Sequence, residues 1–170
     1  MSISLYEASI PVFIHSLTSL KHILEKGAAH AEARKIDPSV LVNSRLFPDM
    51  FALVRQVQIA ADAAKGAAGR LTDTELPKYE DTETTFPELV ARIDKTIDYL
   101  RTFKPEQFED AETRTIAIKT SRRDFSFPGL TYLQHWALPN FFFHVVTTYD
   151  LLRHNGVELG KPDFLGRMPD

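Results

Sequence analysis

Apolar positions fall into four long runs of helical period, separated by polar connections that carry prolines. From Leu5 to Arg34, the residues Val12, Leu17, Leu20, Ile23 and Leu24 recur at three- and four-residue steps, the spacing that lines one face of an α-helix. Pro11 either starts that helix or kinks it, because its ring does not fit an undistorted helix interior. "KIDPSVLVNSRLFPD" holds two prolines and predicts a connection with at most one short helical turn. A second helix is expected from about Pro48 to Leu71, since proline is well placed in a first turn. Its later part, "AADAAKGAAGR", is rich in small residues and predicts a close helix–helix approach. "TDTELPKYEDTETT" is acidic and lacks a period, so it reads as a solvated loop. Thr85 and Glu88 then form a capping-box pattern opening a third helix, whose stripe is Phe86, Leu89, Ile93, Ile97 and Leu100. That helix should stop near Phe103, before Lys104-Pro105.

Beyond it the period changes from helical to alternating. Ile116 and Ile118 alternate with polar residues, as do Phe125 and Phe127, on either side of Ser121-Arg122-Arg123. Two such runs predict a small β-hairpin. Pro128-Gly129 ends it, and a last long helix runs from about Leu130 to His154, kinked or divided by Pro139. Asn155-Gly156 is a natural stop. The tail "VELGKPDFLGRMPD" reads as extended, with Phe164 and Leu165 anchoring it. The expected fold is all-α: an antiparallel four-helix bundle with a small β-hairpin inserted before the last long helix, one domain over residues 1–170.

Composition narrows the function. Apolar residues make up 44% and charged residues 25%, ordinary for a globular protein, and the net charge of −3 argues against nucleic acid as a partner. No apolar run approaches the roughly 18 to 20 residues that span a bilayer. The N-terminus lacks the basic and apolar blocks of a signal peptide, so the expected location is cytoplasmic. With no cysteine, thiolate nucleophiles, iron–sulfur clusters and Cys-type zinc sites are excluded. No phosphate-cradling glycine loop, nucleophile elbow, His-Glu-x-x-His pair or Glu-x-x-His pattern occurs.

The candidate chemistry lies in the last helix. Asn140 and His144 stand four residues apart, with Thr147 or Thr148 on the same face and Phe141, Phe142, Phe143, Val145 and Val146 around them. Left unpaired in a core, each such polar group would cost about 1–3 kcal/mol. His144 is therefore either hydrogen-bonded, to Asn140, Tyr149 or another helix, or it lines a central pocket. One His and one Asn are too few donors for tight zinc. On the second helix, Gln58 and Asp62 share a face and read as a solvated stripe. Gln56 sits beside Leu53 and Ala60 on an inward face. His15 and His22 share a face of the first helix and read as exposed, like His30. His135, beside Trp136, either faces the pocket across the Pro139 kink or packs among aromatic neighbours.

"PNFFFHVVTTYDLLRHNGVELGKPDFLG", "LFPDMFALVRQVQIAADAAKGAAGRL" and "SLYEASIPVF" together resemble the DinB-like (YfiT-like) superfamily, in a domain-of-unknown-function branch of this length. The resemblance spans nearly the whole chain. It implies a four-helix bundle, often a homodimer, in which three histidines hold a divalent metal such as zinc or nickel. Some metal-bearing relatives are thiol-dependent transferases or isomerases. By that resemblance His144 falls on the second metal histidine of the last helix, with Leu152-Arg153 following. Asn140 stands in place of the first, and Gln56 in place of the ligand from the second helix. Two of three ligands are thus amides, which are poor zinc ligands.

The leading expectation is a central pocket lined by Gln56, Asn140 and His144, with His135 and Thr148 nearby, that binds a small molecule. His144 would serve there as a metal-free proton carrier. One alternative is a metal-dependent enzyme using His144 with weaker or additional ligands such as His135 or His22. The other is a non-catalytic dimeric scaffold.

Overall fold

The computed structural model describes residues 3–167. In chain order it contains α1 (Ile10–Arg34), α2 (Pro38–Val42), α3 (Leu53–Thr72), α4 (Phe86–Arg101), a 3-10 turn (Pro105–Phe108), β1 (Thr115–Lys119), β2 (Asp124–Pro128), α5 (Gly129–Tyr132), a π turn (Leu133–Ala137), α6 (Leu138–His154) and α7 (Lys161–Leu165). The chain is mostly helical, with a small antiparallel sheet of two strands. The apolar stripes of the long helices meet in one core. There α3 packs along α6 and α4, and α1 along α4 and α6. Phe13 of α1 meets Phe141 of α6 edge to face at 4.9 Å, both fully buried.

Local chemistry sets most element ends. Pro11 lies in the first turn of α1 and starts the helix rather than kinking it. Asp37 caps α2 by accepting from the Ser39 amide at 2.9 Å. Thr85 and Glu88 form the expected capping box on α4, the Thr85 amide donating to Glu88 at 3.0 Å. In the hairpin Ile116 pairs with Phe127 and Ile118 with Phe125, so one face carries all four apolar side chains. The Phe125 and Phe127 rings then lie 5.0 and 5.9 Å from Trp136. Pro139 lacks the amide that would bond back one turn, and the π turn immediately before it absorbs the break, dividing the last helical run.

Three expectations need correction. The helix expected from Pro48 begins at Leu53, because the Gln56 side chain donates to the Phe51 carbonyl at 3.1 Å and takes the place of a preceding helical bond. The acidic segment 73–85 is not simply solvated; Tyr79, Asp81 and Glu83 fold back onto α3 and α4. The small residues of α3 lie on its contact with α6, although the space at Gly66 is taken by the Arg70 guanidinium and that at Gly69 by Leu76. Finally, the tail is not wholly extended. It forms α7, in which Phe164 packs edge-on against Tyr149 at 6.1 Å while Leu165 is exposed.

Candidate functional site

Gln56 on α3 and His144 on α6 face each other across the α3–α6 contact, and both are buried. Their side chains join at 2.6 Å between His144 Nδ1 and Gln56 Oε1. The direction of that bond follows from the other end of the amide. Gln56 Nε2 donates to the Phe51 carbonyl at 3.1 Å, so Oε1 is the acceptor and His144 carries its proton on Nδ1. The neutral ring therefore presents a bare lone pair on Nε2, which has no hydrogen-bond partner among the described residues. Burial, and secondarily the positive charge of Arg55, push the imidazole down from 6.5 to about 4. It is neutral at pH 7.

The other expected site residues are not gathered around that bond. Thr148 is fully buried, and its hydroxyl donates to the His144 carbonyl at 2.9 Å, within its own helix. His135, in the π turn, is exposed. His22 is exposed on α1 and lies 3.5 Å from Asp163 of α7. His15 donates from Nε2 to the Leu165 carbonyl at 2.6 Å, so His15 and His22 belong to the tail contact. Asn140 is exposed one turn before His144 and opens on a neighbouring cavity of about 180 Å³. Asp62, Arg70, Tyr132 and Asn140 supply its polar groups, and Ile59, Ile118 and Trp136 its apolar walls. Ile118 brings the hairpin to this cavity as one side of it. Arg70 and Tyr132 passed unnoticed in the sequence; the only available signal was a glycine four residues before an arginine on one helix.

Gln58 and Asp62 also differ from the solvated stripe expected of them. Gln58 is buried and donates to Glu83 at 2.9 Å. Asp62 lies 2.9 Å from Lys65 and 3.2 Å from Arg92. Arg92 of α4, its side chain 2% exposed, also reaches Asp81 at 3.0 Å and Glu83 at 3.0 Å, while Arg55 pairs with Asp81. Lys65 and Lys95 each stand near the Tyr79 ring, at 4.0 and 4.2 Å from its centre. This ionic cluster ties segment 73–85 down beside the site.

The donor set does not fit the divalent metal that the resemblance implies. Gln56 has committed its oxygen to His144 Nδ1, and Asn140 opens on a different cavity, leaving Nε2 as one nitrogen donor without companions. No group of three or more His, Asp or Glu side chains among the described residues is placed to hold a metal ion.

Comparison with known proteins agrees with this helical architecture. The crystal structure of a DinB family member protein from Shewanella denitrificans, at 1.83 Å resolution, is 44% identical and superposes with a TM-score of 0.91, over 98% of this chain and 94% of that one. The fold is thus DinB-like. Residues 5–165 match the family model described as "Domain of unknown function (DUF1993)", and the chain belongs to that family. No curated protein matches. No helix among the described residues is long and apolar enough to cross a membrane.

Proposed function

We propose that this chain is a single-domain, cytoplasmic, antiparallel four-helix bundle that binds a small molecule at the α3–α6 contact, with His144 as the residue that meets it. The observation that carries this reading is the Nδ1–Gln56 bond, which holds a neutral imidazole with its Nε2 lone pair unspent. A group held near 4 is a weak base at pH 7, so His144 first accepts a hydrogen bond from a ligand O–H or N–H. It becomes a proton carrier only when a bound negative charge raises its basicity. Gln56 serves as the orienting group, fixing ring and tautomer through its own bond to Phe51.

The test is nitrogen NMR of the His144 ring during addition of alcohols, amines, amides and carboxylates. The expected result is an Nδ1–H tautomer, neutral down to about pH 4, whose Nε2 signal moves with at least one ligand class. If no class moves it, and His144→Ala costs about 1–3 kcal/mol, the pair is a structural hydrogen bond. Stoichiometric zinc or nickel, lost in His144→Ala, would overturn the metal-free reading. A second reading, a non-catalytic homodimer, draws on the exposed Phe143 and Val146 of α6; light scattering of the purified protein decides it.

A further inference from the structure

We propose that the cavity beside Asn140 is a site for a compact zwitterion, such as a small α-amino acid, its carboxylate on Arg70 and Tyr132 and its ammonium on Asp62. Neither Gln56 nor His144 lines this cavity, so the site is separate from the one proposed at His144 and is argued from its own residues.

The first observation is the placement of Arg70. A Cβ at Gly66 would lie 2.3 Å from Arg70 Nη1, so the guanidinium folds back over the bare glycine. There it stands 3.5 Å from the hydroxyl of Tyr132, a residue 2% exposed. No carboxylate pairs with Arg70 among the described residues, although the protein carries more acidic than basic residues. A half-buried guanidinium next to a buried phenol, without a counter-ion, makes a donor pair suited to a carboxylate.

The second is the opposite sign one turn away. Asp62 contributes Oδ1 to Lys65 and Arg92, which leaves Oδ2 facing no partner among the described residues. Because Arg70 reaches back to the level of Gly66, its guanidinium and the Asp62 position lie about one helical turn apart, roughly 6 Å of backbone rise. An ammonium and a carboxylate joined through one carbon span that gap with a hydrogen bond at each end.

Size sets the class. A cavity of about 180 Å³ is small beside the roughly 300–1,000 Å³ of pockets for drug-sized ligands and suits a compact molecule. Ile59, Ile118 and Trp136 supply an apolar wall for a short side chain, and the Asn140 carboxamide has both a donor and an acceptor to offer.

Calorimetry with L-alanine, L-valine, acetate and methylamine tests this on the full chain. The amino acids are expected to bind in the millimolar range or better. Acetate and methylamine, each lacking one charge, should bind about tenfold more weakly or less. Arg70→Gln should weaken the amino acids about tenfold or more. Gly66→Ala should do the same by displacing the guanidinium, with thermal melts showing that both variants fold. Equal binding of acetate and alanine, binding unchanged in Arg70→Gln, or no binding of either amino acid overturns the assignment. Binding that needs Arg70 and survives His144→Ala without moving the Nε2 signal supports the zwitterion site as distinct from the His144 pocket. Binding that needs His144 but not Arg70 overturns the zwitterion assignment and supports the His144 reading instead.

Discussion

A single buried imidazole carries a measurable pH signature. His144 is held near 4 in the folded chain and returns to about 6.5 on unfolding. Between those values the unfolded state binds more protons, so stability is fully present above about pH 6.5 and falls as the pH drops toward 4. Over that window the loss is on the order of 1–3 kcal/mol. Denaturant unfolding at pH 7 and pH 4.5 should show this slope in the native protein and a much shallower one in His144→Ala; equal slopes would place the ring in water. Carboxylates such as Asp163, held below their usual range by the Gly160 amide and Lys26, act at lower pH and leave this window to the histidine. Gln56 and His144 could be singled out from sequence because each interrupts an otherwise apolar face. Thr148 could not be excluded in the same way. Whether a hydroxyl turns to a cavity or to the carbonyl one turn back depends on a rotamer that residue spacing does not encode.

At the scale of elements, the ionic cluster makes segment 73–85 part of the α3–α4 framework. Arg92 is enclosed on α4, and Asp62, Asp81 and Glu83 converge on it from α3 and the segment. Removing one partner of such a cluster leaves like charges facing one another. Arg92→Met is therefore expected to destabilise by about 3 kcal/mol and to release segment 73–85, with faster amide exchange there than in α6. Exchange confined to its wild-type pattern would mean that Arg55, Gln58 and the Tyr79 contacts hold the segment without Arg92. The helices, the capping box and the hairpin were legible because their signals are local: period, cap and turn. The clamped segment was not, since its charges look solvated until partners distant in sequence arrive. The same holds for Gly66, whose spare room reads as helix packing until Arg70 is seen to fill it.

For the molecule as a whole, the last question is what closes the core where α1 and α6 end. The chain after Gly156 returns along α1, burying Val157 and Leu159 before α7 packs on that helix. Lys26 meets Asp163 at 3.0 Å, and His15 holds the Leu165 carbonyl. The ion pair is partly solvated and contributes about 1 kcal/mol at most. The two buried aliphatic side chains contribute more, about 1.5–3 kcal/mol each. Ending the chain after Gly156 should accordingly lower the unfolding free energy by about 4 kcal/mol, whereas Lys26→Ala in the full chain should cost under about 1 kcal/mol. Chemical denaturation of the two variants beside the native chain separates these effects. A truncated chain as stable as the native one would make the tail a passive strap, and a large loss in Lys26→Ala would move the closure from apolar burial to the ion pair. The expected ordering follows from the same rule that built the core: side chains taken fully out of water outweigh charges left half in it.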